Sequence, residues 1–525
     1  MKKMIGLLFV VTTTMTFASK DIETNITNAS NEGALAKLIK KVNKIKVHDA
    51  NDNIKWGVDM RTAIDNINYD LANGKSAGKN DLMSMRLWLN MAYSPASDTV
   101  FKGQLSMNKA FGADFASPEN RTFSLGGQFD WTGNEALTNN QLRVRQAYWL
   151  YLGDKFLGAD IPWTFSVGRR PSTNGFLANL RDDDVAASPL AHVINVEFDG
   201  LSSKLDLSNI TGVPGMSIKL CMGQGSTNAQ PLFSSATPYA DGDASGLEDI
   251  KLAGFIFEPY NDAQFIVKST WYKAFDLPGQ DGETSMGGVD PMNPSLTSIT
   301  ASAFKQYGDM QGAAISVLVD GLTEDGYFSD AKIFGSFAWS KTQPKTESMM
   351  LGSSSSETGT SYWFGTQLPV TEKGTLGLEY NHGSQYWRPF TYAEDTMIGS
   401  KIAARGAAVE AYFDYQLTKS LSAQIRYTKI DYDYTGSSGF FGNFSGRANK
   451  INDMKSGANA FRALGGTVDE DGAHNIGVVT ENLVSQGMSM SQAQQAAGEM
   501  AGAALFLPNI VEAAQDLRFN IRYRF

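Results

Sequence analysis

The stretch LRFNIRYRF, Leu517 to Phe525, alternates without a break. Leu517, Phe519, Ile521, Tyr523 and Phe525 share one parity, and Arg518, Asn520, Arg522 and Arg524 share the other. A period of two is a strand with two unlike faces, one seeking an apolar medium and the other water or charge. From Ile54 onward sixteen such segments can be read, near 54–68, 81–93, 99–111, 141–152, 162–170, 193–207, 215–222, 249–258, 262–273, 311–320, 329–341, 359–369, 373–384, 405–417, 419–433 and 515–525. In 81–93, Met83, Met85, Leu87, Leu89, Met91 and Tyr93 oppose Ser84, Arg86, Trp88 and Asn90. In 141–152, Leu142, Val144, Tyr148, Leu150 and Leu152 oppose Arg143 and Arg145, and in 405–417 Val409, Ala411, Phe413, Tyr415 and Leu417 oppose Glu410, Tyr412, Asp414 and Gln416.

The connectors alternate as well. Short ones (94–98, 153–161, 208–214, 259–261, 321–328, 370–372 and the turn at Thr418) interleave with long ones (112–140, 171–192, 223–248, 274–310, 342–358, 385–404 and 434–514). One trimmed rim and one elaborated rim are what an antiparallel membrane barrel produces. Beyond the N-terminal segment no apolar run reaches 18 residues, so no spanning helix is available. In lipid every backbone polar group has to be bonded internally, which leaves helices and closed barrels. The expected fold is all-β, a transmembrane antiparallel β-barrel of about 16 strands over residues 54–525, wide enough for an aqueous lumen.

Composition excludes several other classes. Cys221 is the single cysteine, so no internal disulfide is possible, and it reads as a small packing residue of a strand. Four histidines and one cysteine are too few and too scattered for a zinc site, and no cofactor or metal motif stands out. A formal charge of −10 argues against nucleic-acid binding. Residues 1–18 read as a signal peptide, with Lys2 and Lys3, an apolar core from Met4 to Val11, and small residues before a cleavage after Ala18. In 19–53, Leu35, Leu38, Val42 and Ile45 make a short amphipathic helix rich in lysine, expected on the periplasmic side.

The alternating strands, the opening IKWGVDMRTAIDNINY and the closing RFNIRYRF resemble bacterial outer-membrane porins of the sixteen-stranded type, and within them a group of porins of unknown substrate. The resemblance implies a Gram-negative outer-membrane location, contact with the bilayer and lipopolysaccharide, and a homotrimer. It implies that Phe519, Ile521, Tyr523 and Phe525 signal to the barrel assembly machinery. It also implies that the third outer loop, 171–192, folds inward and narrows the pore. That loop carries Asp182, Asp183 and Asp184 beside Arg181, and follows Arg170. By parity the inward cations are Arg61, Arg86, Lys102, Arg143, Arg145, Arg426, Arg518 and Arg522, on the first four and last two strands. An acidic loop facing that wall would set a transverse field and an ion preference.

In 434–514, NIGVVTENLVSQG reads as a helix stopped by Gly487, and SMSQAQQAAGEMAGAALFLP as a Ser-capped helix ended by Pro508, together a lid or plug. Asp469 to Gly472, DEDG, lacks the ligand spacing of a calcium loop and reads as a turn. The function expected is passive diffusion of small hydrophilic solutes or ions. A surface adhesin or receptor using the long loops is the alternative. A barrel enzyme is a further one, with His382 and His474 placed in outer loops but lacking a partner motif.

Overall fold

The computed structural model describes residues 54–112, 137, 140–171, 174–227, 229–231, 239–241, 248–283, 286–287, 294–296, 300–391, 396–437, 441–442 and 446–525. The segments read as a signal peptide and an amphipathic helix, 1–18 and 19–53, lie outside the described residues.

Sixteen strands close into one antiparallel barrel, each bonded to its neighbours in sequence and the sixteenth to the first. They are β1 (Lys55–Leu71), β2 (Ser76–Ala96), β3 (Thr99–Ala110), β4 (Arg143–Gly153), β5 (Trp163–Pro171), β6 (Glu197–Asp206), β7 (Ser217–Ser226), β8 (Ile250–Asn261), β9 (Phe265–Glu283), β10 (Thr300–Asp320), β11 (Lys332–Pro344), β12 (Thr358–Thr371), β13 (Gly374–Gly383), β14 (Gly406–Gln416), β15 (Leu421–Tyr432) and β16 (Val511–Arg524). Each sequence segment finds its strand, but the ends move. Residues 274–310, expected as a loop, instead carry β9 and β10 onward to Glu283 and back from Thr300. Residues 193–196, expected in a strand, belong to a loop: Ile194–Asn195 pairs in parallel with Phe390–Thr391 inside the barrel. His382 lies in β13 rather than in an outer loop, its ring stacked on Tyr362 at 5.3 Å.

Closure is backbone chemistry. β1 pairs with β16 from Asp59↔Arg524 to Leu71↔Val511. Beyond the strand, the Phe525 N–H donates to Val58 O at 3.1 Å and the Val58 N–H to Phe525 O at 3.2 Å. The parity holds on both strands: Met60, Phe519, Ile521 and Tyr523 are exposed on the outside, while Asp59, Arg61, Asp65, Arg518, Asn520 and Arg522 are buried inside. Outward apolar side chains recur around the wall, among them Phe255, Ile315, Phe337, Phe364, Val409 and Ile425. Exposed in water, such a belt would be an aggregation surface; in a bilayer it is solvated. Near the short 154–162 turn the aromatics gather, with Trp163 5.4 Å from Tyr151 and 5.8 Å from Phe156, as at a membrane interface. Among the described residues no helix is long and apolar enough to cross a membrane.

One strand breaks its own alternation. Gln104 pairs with Gln146 and Leu105 with Val144, which leaves Arg145 as the extra residue of a β-bulge in β4. Arg145 and Gln146 both turn inward to the Gln104 side chain, at 2.7 Å and 3.3 Å. Below the bulge the parity is reversed. Tyr148 therefore faces the lumen under Arg170, 4.9 Å from its ring, and Trp149 faces out against Phe165 at 5.7 Å. Gly168 sits opposite Tyr148 at φ 132°, where an added Cβ would lie 2.2 Å from Ala147 O.

The long connector 433–510 is helical, as its caps suggest. It holds α1 (Ile451–Ala463), α2 (Ile476–Ser485) and α3 (Met490–Phe506). Ser489 and Gln492 form a reciprocal capping box at the start of α3. Gly487 follows α2 at φ 101°. Asp469 to Gly472 is the turn of a small hairpin, where His474 Nε2 meets Asp469 Oδ1 at 2.8 Å. α1 is the helix the sequence reading missed. Its signal was present, since Ile451, Met454, Ala458 and Phe461 recur at helical spacing, all packed in one cluster with α2 and α3.

The alternation yields an asymmetric test. Phe519→Arg places a charge on the lipid face and is expected to destabilise the barrel by roughly 2–4 kcal/mol if near mid-depth. Asn520→Arg, one residue along, faces the lumen and is expected to cost less. Urea unfolding in lipid vesicles, followed by tryptophan fluorescence, measures both.

Candidate functional site

The site is the lumen, and three loops occupy it. The lumen loop, described over 174–196, lies between β5 and β6 in sequence and reaches the wall at β12 and β16. It carries a short 3-10 turn, Ala178–Asp182, with Leu177, Leu180 and Arg181 buried. The 384–405 loop and the first part of 433–450 descend beside it. Gly359 permits this approach: a Cβ there would lie 2.1 Å from the backbone N of Trp387.

On the β6–β12 side the lumen is filled by apolar packing. Leu177, Leu190, Val193 and Val196 of the lumen loop meet Phe198, Leu252, Tyr272, Met310, Ala314 and Phe334 of the wall and Trp387 and Phe390 of the 384–405 loop. Fully burying each large side chain contributes about 1.5–3 kcal/mol. Inside this core sits His192. Its Nδ1 is 2.8 Å from Ser336 Oγ and its Nε2 is 2.9 Å from Ser361 Oγ. Asn381 Nδ2 donates to Ser361 Oγ at 3.1 Å and lies 3.4 Å from Nε2. Nε2 is therefore best assigned as the acceptor and Nδ1 as the N–H donor. Trp363 and Trp387 flank the ring at 5.7 Å and 5.5 Å.

The other side, β13–β16 and β1–β4, is charged and paired. At the seam Arg518 Nε donates to Asp65 Oδ1 at 2.5 Å, and Arg522 Nε to Asp59 Oδ1 at 2.9 Å. Arg86 lies 3.7 Å from Asp59. Arg86 and Arg145 sandwich Trp88, their guanidinium carbons 3.5 Å and 4.2 Å from its ring, and Arg145 Nε reaches Glu197 at 2.8 Å. A second cluster joins loop to wall. Lys401 of the 384–405 loop bonds Glu379 at 2.7 Å and also Glu410. Arg181 lies 3.6 Å from Glu410, Arg426 3.9 Å from it, and Thr428 donates to it at 2.7 Å. Buried carboxylates of this kind persist only with such partners.

The acidic tip does not face its cations across an open gap; it touches them. Arg522 Nη2 meets Asp184 Oδ1 at 2.7 Å, Arg524 Nη2 meets Asp183 Oδ2 at 3.1 Å, and Arg61 lies 3.9 Å from Asp182. Arg522 and Arg524 also donate to the Asp182 and Asp183 carbonyls, at 2.7 Å and 2.8 Å. Gln367 and Gln424 of the wall hold the Leu180 and Arg181 carbonyls, both at 2.8 Å. Of the eight wall cations read from parity, Arg61, Arg86, Arg145, Arg426, Arg518 and Arg522 are buried, while Lys102 and Arg143 are exposed. Arg61 and Arg522 reach the tip aspartates through the ion pairs above. Arg86 and Arg145 engage Asp59, Glu197 and Trp88. Arg170 lies apart, bonded to Ser166 and Ser202.

Sequence reasoning missed the counter-anions Asp59, Asp65, Glu379 and Glu410, though each shares the inward parity of its strand. It also missed Arg524, and Arg388 and Arg405, which tie 384–405 to Ser437 O and Thr435 O at 2.8 Å and 2.7 Å. Among the described residues no cluster of His, Cys, Asp and Glu is arranged to hold a metal.

Residues 77–473 match the family model described as "Protein of unknown function (DUF3373)". No curated protein matches the sequence. Similar solved structures include the outer-membrane expressed OmpT of Vibrio cholerae, at 9% identity and TM-score 0.40 over 90% of this chain and 97% of that one. An anion-selective porin from Comamonas acidovorans gives 9% and 0.42 over 90% and 99%. Salmonella typhi OmpF, in complex with daunomycin, gives 10% and 0.40 over the same shares, 90% and 99%. At such identities and TM-scores these likenesses carry no argument; the barrel rests on the strand order itself.

Burial makes His192 a pH-sensitive anchor, holding its ring well below the ordinary range, at about 3 against 6.5. Above pH 6.5 the imidazole is neutral whether the loop is docked or free. Below it the free loop takes up a proton that the docked loop refuses until about pH 3, so docking weakens across that window. Tryptophan fluorescence of the folded protein is expected to change between these pH values. His192→Gln, which keeps hydrogen bonding without titrating, is expected to flatten that part of the titration.

Proposed function

The chain belongs to the DUF3373 family, and we propose that it is an outer-membrane channel passing small hydrophilic solutes or ions through a narrow, charge-lined slot. The observation that carries this reading is the division of each strand: apolar outside, charged and hydrogen-bonded inside, around a loop whose acidic tip is gripped by arginines of the wall. An apolar exterior suits lipid, and a closed ladder leaves no unpaired strand edge. Lysines, arginines and carboxylates inside suit a wet, ion-selective path. The apolar filling of the β6–β12 half supports a narrow path along the β13–β4 half rather than a general pore.

The reading is of a transporter and not an enzyme. Its buried histidine, His192, is enclosed by serines and tryptophans at 0% exposure, out of a solute's reach. A receptor role is the second reading. It draws on the helical layer α1–α3, beside which a cleft of about 1590 Å³ opens between α3 and the strand ends.

Planar-bilayer recording of the purified protein tests the choice. Discrete steps, smaller than those of an open sixteen-stranded pore, are the expected result; a silent membrane would favour the receptor. Asp182→Asn, Asp183→Asn and Asp184→Asn together release Arg522 and Arg524 with little change of volume. The reversal potential in a low-salt gradient should then shift towards anions. In molar salt, where screening shortens to about 3 Å, the shift should fade. An unchanged reversal potential would remove the 172–196 tip from the ion path.

A further inference from the structure

The arginines of the seam all have carboxylates, whereas a second group of cations is only partly matched by acids: Lys268 meets Glu258 at 3.7 Å, while Arg170 and Lys219 bond hydroxyls. Lys204 of β6 stands directly opposite Lys219 of β7 in the ladder. Like charges directly opposite destabilise a sheet, so wall stability does not explain the pair. Both share the inward parity of Ser202 and Ser217, which are buried in the lumen face. Lys268 of β9 lies near enough to repel both, and Arg170 of β5, bonded to Ser166 and Ser202, adds its charge at Lys219.

Few acids answer these four. Glu258 lies 3.7 Å from Lys268 and also accepts from Asn261 at 2.6 Å. Asp206, one inward position below Lys204, accepts from the Ser208 hydroxyl at 2.6 Å. The other contacts are with hydroxyls and rings. Lys219 Nζ donates to Ser188 Oγ of the lumen loop at 2.7 Å, Lys268 Nζ lies 4.7 Å from the Phe176 ring, and Arg170 lies over Tyr148. Hydroxyls and ring faces orient a cation without neutralising it. A cavity of about 80 Å³ opens beside Arg170 and Lys219, with Ser188, Ser202 and Thr270 among its otherwise largely apolar lining, and Lys204 and Lys268 stand outside that lining.

We propose that Arg170 and Lys219, with Lys204 and Lys268 flanking them, form a binding site for a phosphate group, free or carried by a small solute, beneath the lumen loop. Lysines outnumbering their acids, with an arginine and serine hydroxyls, supply the charge-assisted donors that a tetrahedral oxyanion accepts. The site deepens the channel reading and rests on it for its meaning: the preferred solute is anionic, and it is held on the short-turn side of the constriction. Lys219 also touches the loop through Ser188, so an occupied site and a docked loop share a residue.

The test is calorimetric titration of the detergent-solubilised full chain with inorganic phosphate at constant ionic strength. Saturable binding is expected. Lys204→Gln and Lys219→Gln should each weaken it by roughly tenfold or more, the loss of one charge-assisted hydrogen bond. Lys455→Gln, on α1 and paired with Glu512, should leave it unchanged. Lys268→Gln is the substitute if either of the first two fails to give the strand signal in circular dichroism. Absence of saturable binding by the parent, equal affinity in the three site variants, or displacement by equimolar chloride would each overturn the site. A protein that binds phosphate but carries no current would refute the channel and leave the site. One that conducts without binding phosphate would do the reverse.

Discussion

The ladder between β16 and β1 is the interaction on which the rest of the molecule depends. Lipid offers no hydrogen bond, so an unclosed sheet would leave two strand edges unpaired in an apolar medium. Pairing from Asp59↔Arg524 to Leu71↔Val511 removes both edges at once. The same seam brings Arg518 to Asp65 and Arg522 to Asp59. Backbone closure and charge compensation are thus one event, and neither set of partners is complete on a single strand.

The lumen then divides by chemistry. Towards β6–β12, apolar side chains of the wall meet apolar side chains of the loops, and the space is filled as a globular core is filled. Towards the seam, cations and carboxylates are paired, with Arg86 and Arg145 stacked on Trp88. Buried charges that lose one partner are strongly penalised, whereas exposed pairs contribute little. The tightly held part of the charged half is accordingly the Lys401–Glu379–Glu410–Arg181 cluster, and the Arg524–Asp183 pair at the exposed tip is the adjustable part.

Strand number, strand order and facing were legible in the sequence because lipid enforces a period of two that no packing can override. LRFNIRYRF in β16 shows it plainly, with exposed and buried residues alternating from Leu517 to Tyr523. Where the wall departs from the period the reading failed: the bulge at Arg145 inserts one residue and sends Tyr148 to the lumen. Such a bulge has no mark in the residues themselves. The pairing of Arg61, Arg86 and Arg145 was illegible for another reason. Parity says that a side chain points inward, but its partner comes from another strand or loop, as Glu197 and Asp59 do. The helix α3 was readable from its Ser489 cap and α2 from the Gly487 that stops it, while α1, with no side-chain cap and with Gly457 inside it, offered only its apolar spacing.

The tip of the lumen loop is gripped by Arg522 and Arg524 from β16 and by Arg61 from β1, on opposite sides of the seam. Those three guanidiniums converge only once the two strands are in register. A sheet still open at that edge can hold no constriction, however well its other strands are formed. The narrow part of the lumen is therefore a product of closure, and a barrel caught mid-assembly would have a wall before it had a waist.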